Sequence, residues 1–301
     1  MRKLEGYFLI IIAGVLYGTI PVFATLLSRY NVSTIEQVSI RLALSLGAFL
    51  LYALITKKHS LRLSKRDYIH FFFFGLAGIA LFFTLYMSAA VMTSVTMAVL
   101  LLYTQPMFTL LLSRVIYKKQ VRTAGYVAIL LALAGVAVIF RVWGIQWSDF
   151  GLGHIFALMT GLLYSVYIIF MNRKTPKYNT LAVTFWSFLF GLIWIIPLWF
   201  LMHMAFHNPV ISGIDLNLPL NAWLLLLAFA LVSNIMAYLI FNHGMRTVEP
   251  HRAGVLVLSE PLVAIILGAA LLGQALHITD LIGGILILAA FLMVKRKDRK
   301  P

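Results

Sequence analysis

The sequence predicts an all-α integral membrane protein: ten transmembrane helices in a five-plus-five inverted-topology repeat. Three observations predict it. The apolar residues run in long unbroken stretches. The lysines and arginines collect at one set of stretch ends. A polar-proline pair recurs once in each half. Of 301 residues, 62% are hydrophobic and 11% charged, with a mean hydropathy of +0.97. A soluble domain carries about 25% charged residues, so lipid must be the solvent for this much apolar surface. The alternation of a membrane barrel is absent. Long apolar runs select helices, which satisfy their backbone groups within one segment.

The expected spans are about 6–28, 34–56, 68–91, 95–117, 121–140, 151–171, 180–202, 220–243, 252–273 and 279–294, each close to the thickness of a bilayer. Connections are short. The longest, 203–219, contains His203, His207, Pro209, Gly213 and Asp215. The start MRKLEGYFLIII resembles a signal peptide, but its apolar run continues to about Leu27 with no small-residue cleavage site. It is expected to be the first span.

The formal net charge is +15. The basic residues lie in short loops, which points to membrane topology rather than to nucleic acid. One set of ends carries Arg2 and Lys3; Lys57, Lys58, Arg62, Lys65 and Arg66; Arg114, Lys118, Lys119 and Arg122; Arg173, Lys174 and Lys177; Arg246 and Arg252; and five more from Lys295 to Lys300. The opposite ends carry Arg29 and Arg141, and Arg41 lies inside the second span. Losing one helix from the count would scramble this split. A multi-pass protein of the cell membrane with both termini cytoplasmic is expected. With no cysteine in the chain, disulfides, thiolate metal sites and thiol nucleophiles are excluded. There is no HExxH spacing and no Walker A sequence, so neither metal, cofactor nor nucleotide is expected. Asp149-Phe150-Gly151 spells a kinase motif without the other kinase motifs.

Ala253–Gly273 is the stretch around which the chain is organised. It is nearly all apolar, with Glu260 near its middle and Pro261 next. A charge at that depth costs about 2.5–3.5 kcal/mol on insertion scales and usually faces a cavity. The proline clashes with the carbonyl four residues back, at Val257, so a kink is expected there. Thr96–Tyr117 repeats the design with Gln105 and Pro106. Gly14-Val15-Leu16-Tyr17 in the first span parallels Gly161-Leu162-Leu163-Tyr164 in the sixth. Gly125 and Gly135 in the fifth span parallel Gly283 and Gly284 in the tenth. Two repeats, 1–143 and 144–301, are expected. Five spans per half is odd, so the second half enters the membrane from the other side, an architecture that places a site near the midplane between halves.

Order and spacing of these features resemble the EamA-type drug/metabolite transporters, a group that includes bacterial aromatic amino acid exporters. The resemblance rests on ten spans, Arg41 within IRLALSLGAF, the short turn Ala89–Ser94, and Glu260-Pro261 followed by Leu-Gly and a late Gly-Gly. It covers essentially the whole chain. It implies helices around a central cavity and alternating-access transport of small metabolites, amino acids or organic cations. Gln105 and Gln274 stand where the second half or the family has glutamate, so the resemblance supports a coupling acid at Glu260 alone.

Glu260 is the coupling candidate, either protonating during a cycle or pairing with a cationic substrate. Alternatively its side chain caps backbone groups freed by Pro261 or pairs with Arg41. Arg41 is a possible partner for an anionic substrate group; alternatively it snorkels to the outer interface or pairs with Glu36. Tyr17, Phe82, Tyr86, Tyr103, Tyr164, Trp186 and Tyr238 are cavity candidates, with Tyr167 beside them, because a tyrosine hydroxyl finds no partner in lipid. Such rings would suit flat or cationic solutes; simple helix packing is the alternative for each. Gln105 and Asn234 complete the candidate set, Asn234 with interhelical hydrogen bonding as its alternative. Gly14 and Gly18 form a GxxxG close-packing face. Trp143, Trp147 and Trp223 are expected as interfacial anchors.

Three function classes compete. A secondary transporter, exporting small metabolites on a proton or solute gradient, needs a polar site at the pseudo-dyad; its partners are a small molecule and the bilayer, and a monomer suffices. A lipid flippase or passive facilitator needs an opening toward lipid. An intramembrane enzyme needs paired acids, or Ser with His, at one depth, and Asp280 lies near the outer face, away from Glu260.

Overall fold

The computed structural model describes residues 2–56, 61–118, 123–145, 150–206 and 216–295. These residues form helices joined by turns, with no strand among them. The helices are α1 (Arg2–Tyr17), α2 (Ile20–Ser28), α3 (Thr34–Thr56), α4 (Lys65–Phe74), α5 (Phe82–Met92), α6 (Val95–Leu102), α7 (Gln105–Tyr117), α8 (Thr123–Ile139), α9 (Leu152–Lys174), α10 (Thr180–Phe206), α11 (Leu220–Phe229), α12 (Ala237–Gly244), α13 (Pro250–Leu256), α14 (Ser259–Leu272) and α15 (Ile278–Lys295). Trp147 and Asp149 lie outside the described residues.

Eight helical stretches are long and apolar enough to cross a bilayer, from Leu4–Ser28 to Pro250–Leu272. Two apolar helices are shorter, Thr123–Ile139 and Ile278–Val294. At 1.5 Å per residue, 17 residues rise about 25 Å, short of a hydrocarbon core of about 30 Å. The two short helices pack on each other at glycines. A Cβ on Gly283 would stand 2.5 Å from the Gly135 carbonyl oxygen, and one on Gly135 would stand 2.7 Å from the Gly283 carbonyl oxygen.

Three of the long stretches are broken, and the breaks share one chemistry. Leu16–Pro21, Leu101–Pro106 and Leu256–Pro261 each read Leu-x-x-(Thr/Ser)-x-Pro. In each, the hydroxyl donates to the carbonyl of the leucine three residues back: Thr19 to Leu16 at 2.6 Å, Thr104 to Leu101 at 2.6 Å, and Ser259 to Leu256 at 3.2 Å. The proline then falls in the first turn of the next helix, where a missing N–H costs nothing. Pro106 and Pro261 therefore start new helices at Gln105 and Ser259 rather than bending continuous ones. Glycines on neighbouring helices let the breaks pack closely. A Cβ on Gly14 would stand 2.8 Å from the Val257 carbonyl oxygen, and one on Gly161 3.1 Å from that of Leu102. Gly18 packs on the Glu260 carbonyl in the same way, at 2.7 Å. The Gly14–Gly18 face thus lies on the third break.

Two further stretches are underwound. Gly75–Leu81, between α4 and α5, and Ala230–Met236, between α11 and α12, are π-helical. Such segments shift the helix face by adding a residue to a turn and occur often at functional sites.

One end of the bundle is tied by charge. Asp67, buried at the start of α4, accepts from Lys174 at 2.5 Å, from Lys177 at 2.6 Å, from His70 and Ser64 at 3.0 Å, and from the Tyr178 hydroxyl. Arg252 donates to the Tyr7 hydroxyl and the Val294 carbonyl, both at 2.8 Å, and to Glu249 at 2.9 Å. These ties join helix ends that lie far apart in sequence.

Candidate functional site

The breaks decide what sits at the centre. The second places Tyr103 at the end of α6, the third places Glu260 in the first turn of α14, and the first places Tyr17 at the end of α1. The Tyr103 and Glu260 side chains meet. Tyr17, Tyr86, Tyr164 and Tyr238 also lie within electrostatic reach of the Glu260 carboxyl. Five tyrosines from five helices thus converge on one acid carried by a sixth.

Ring contacts hold this cluster together. Tyr17 meets Tyr238 edge-on with centroids 5.3 Å apart, and Tyr238 meets Phe188 at 4.9 Å. Phe82 lies parallel to Tyr86 at 6.4 Å and packs on Tyr164 at 5.7 Å. Tyr103 packs on Phe140 at 6.2 Å. Edge-on and tilted arrangements are those that aromatic quadrupoles favour. Tyr167 extends the cluster, 5.7 Å from Tyr238, and its hydroxyl donates to Asn242 Oδ1 at 3.0 Å. Asn242 Nδ2 donates in turn to Thr184 Oγ1 at 2.9 Å. Tyr167 is therefore satisfied by protein.

The others differ. Phe82, Tyr86, Tyr164, Tyr238 and Glu260 keep partial accessible surface although they lie among converging helices. What this partly accessible surface offers is one carboxyl that can accept or release a proton, hydroxyls that can donate to it, and flat ring faces. Among the described residues, no cluster of three or more His, Asp or Glu side chains could hold a metal.

The remaining candidates are elsewhere. Gln105 is fully buried and used by packing: Nε2 donates to the Gly254 carbonyl at 2.7 Å, and Oε1 accepts from Thr109 at 3.0 Å. Its own carbonyl accepts from Ser165 at 2.9 Å. It braces α7 against α13 and α9. Trp186 stands near the Asp67 tie, its Nε1 donating to the Leu61 carbonyl at 2.6 Å and its ring 4.7 Å from Tyr68. Asn234 is buried inside the second π segment. Trp143 is exposed and Trp223 half-buried, as interfacial anchors would be.

Arg41 corrects two expectations. It does not snorkel, being only 3% exposed. Nor does Glu36 pair with it; that carboxylate accepts from Ser33 N at 2.6 Å while Ser33 Oγ accepts from Glu36 N at 3.3 Å, a capping box at the start of α3. Arg41 instead lies against two phenyl rings, 4.5 Å from the Phe229 centroid and 4.8 Å from that of Phe83.

Known proteins share both the sequence pattern and the fold. The EamA-like transporter family model matches this chain twice, over residues 4–141 and 151–296. The chain belongs to the EamA-like transporter family. An uncharacterized transporter of Archaeoglobus fulgidus is 29% identical over 226 residues, covering 74% of this chain and 76% of that protein. One from Clostridium kluyveri is 23% identical over 303 residues, covering 98% and 94%. A solved crystal structure aligns with a TM-score of 0.74 at 19% identity, over 98% of this chain and 96% of the other. That likeness concerns the fold. This EamA-like protein is a multi-pass membrane transporter.

Proposed function

We propose that the protein is a secondary transporter that exports small amphipathic metabolites, amino acids among them, by alternating access around Glu260 and its tyrosines. The observation that carries this is the meeting of Tyr103 and Glu260 at breaks in two separate helices, with ring-lined accessible surface beside them. Broken helices at a midplane site are how transporters present polar groups in lipid. We take residues 1–143 and 144–301 as five-span repeats of opposite orientation, with both termini in the cytoplasm. Supporting this are the double family match, the π segments that precede α5 and α12, and the glycine-to-break contacts of α1 and α9. The short helices α8 and α15 cross as the fifth and tenth spans, supported by the charge split on either side of them. The chain has no Walker A sequence, and we take a proton or solute gradient as the drive. Glu260 is the group that carries the coupling proton.

The test is counterflow in proteoliposomes loaded with amino acids, organic cations or sugar phosphates. Saturable exchange of one class is expected. Protein-dependent movement of labelled lipid with no solute exchange would instead make this a flippase.

A further inference from the structure

A charged side chain with no counter-charge sits beside the proposed site. Arg41 is 3% exposed, makes no ion pair among the described residues, and has its Nε buried without a hydrogen-bond partner. Burying a guanidinium unpaired is costly, and buried charges are ordinarily paired. Two phenyl rings attract the cation through their faces, yet rings do not satisfy its in-plane N–H donors. Those donors form a planar fork that matches a carboxylate in bidentate fashion.

Place strengthens chemistry. Phe229 is the last residue before the second π segment, and Phe83 follows closely on the first. Arg41, on α3, therefore touches a ring directly before one π segment and a ring just after the other. Tyr238 lies within electrostatic reach of Arg41 and of Glu260 alike. One wall of the ring cluster thus adjoins an unsatisfied cation. Among the described residues no carboxylate pairs with Arg41, which leaves its fork open to a carboxylate on the solute.

We propose that Arg41 is the anion subsite of this transporter: its solute carries a carboxylate that docks on the Arg41 guanidinium while a flat apolar body lies among Tyr238 and the neighbouring rings. The proposal rests on the transport function proposed above and adds the charge of the transported solute. Phe83 and Phe229 hold the guanidinium in place, so the fork is set before the solute arrives. Glu260 is left free for the proton.

The experiment is a binding series on the full chain in detergent micelles, read by calorimetry and thermal shift. Four probes share one ring: 3-phenylpropionate, L-phenylalanine, 3-phenylpropanamide and phenethylamine. The two carboxylates are expected to bind at least about tenfold more tightly than the amide or the amine, the order of a charge-assisted bond over a neutral one. Arg41→Gln is expected to bring 3-phenylpropionate down to the level of the amide and to leave the amide unchanged. Arg41→Lys, which keeps the charge and loses the fork, is expected to fall between, and it serves if Arg41→Gln does not fold. Glu260→Gln is expected to keep the preference for carboxylate. Equal binding of acid and amide by wild type overturns the proposal, as does absence of binding by either carboxylate. Equal loss of both probes in Arg41→Gln does so too, since that is what a packing role would give. Solute exchange in the counterflow assay would survive each of these results, so the two proposals fail separately.

Discussion

Glu260 and Tyr103 meet because two helices break where they do, and their chemistry can be separated one atom at a time. Glu260→Gln keeps the shape of the side chain and removes the exchangeable proton. Substrate exchange and binding are expected to persist, and uptake driven by a pH gradient is expected to vanish. Reconstituted mutant protein that pumps with the wild-type pH dependence would remove Glu260 from the coupling role. Tyr103→Phe deletes a single hydroxyl from a ring that is 3% exposed and packed on Phe140. A hydrogen bond to a charged group contributes about 1.5–3 kcal/mol, so substrate affinity is expected to drop by about ten- to a hundredfold if the solute uses that bond. The melting temperature should hardly move, because the ring stays. A large fall in melting temperature with unchanged affinity would mark Tyr103 as packing.

Between helices, the ties are few and specific, and Asp67 is the most connected. It joins the start of α4 to the end of α9 through Lys174 and to the connection after it through Lys177 and Tyr178. Asp67→Asn leaves the Lys174 side chain, 15% exposed, without its carboxylate; the Lys177 side chain, at 58%, has water instead. Removing one partner from a dry pair costs about 3–5 kcal/mol, and exposed pairs contribute little, so about 2–3 kcal/mol is expected here. Differential scanning fluorimetry should show a lower melting temperature that added salt does not restore. The helices themselves were legible because apolar runs and basic ends are local features. Pro106 and Pro261 were legible as disturbances, though as kinks rather than as the starts of new helices. The break before Pro21 carries the same Leu-x-x-(Thr/Ser)-x-Pro signature, and comparing all three hexapeptides would have placed it. The π segments were not legible: Ala230–Met236, ALVSNIM, has neither glycine nor proline, and it packs against α3, which is remote in sequence. Trp186 and Gln105 were unreadable for a related reason. Their partners, the carbonyls of Leu61 and Gly254, lie more than a hundred residues away. Arg41 itself was read against Glu36, five residues off, when the capping box with Ser33 already occupied that carboxylate.

For the whole molecule, the decisive matter is whether the halves are inverted, because a midplane site reached alternately from two sides follows from that inversion. Topology depends on the two short helices. If α8 crosses the membrane, the turn after it lies opposite the turn that holds Lys118; if it does not, both lie on one side and every later span is reversed. The native chain has no cysteine, so single cysteines can report sides without prior engineering. Asn31 lies in an exposed turn between α2 and α3, and a Cβ at Gly144 would meet nothing within 4 Å. Arg66 is exposed near the start of α4, and Lys177 lies in the connection after α9. In intact cells a membrane-impermeant maleimide is expected to label Asn31→Cys and Gly144→Cys, and to label Arg66→Cys and Lys177→Cys only after lysis. The reverse result at Gly144 and Lys177 alone would mean that α8 stays on one side. The halves would then share an orientation, and Gln105 and Glu260 would no longer mark equivalent places in opposed repeats. Labelling of all four as expected fixes α8 as a crossing and puts the positive ends of every loop on the cytoplasmic side, where the Lys and Arg bias places them.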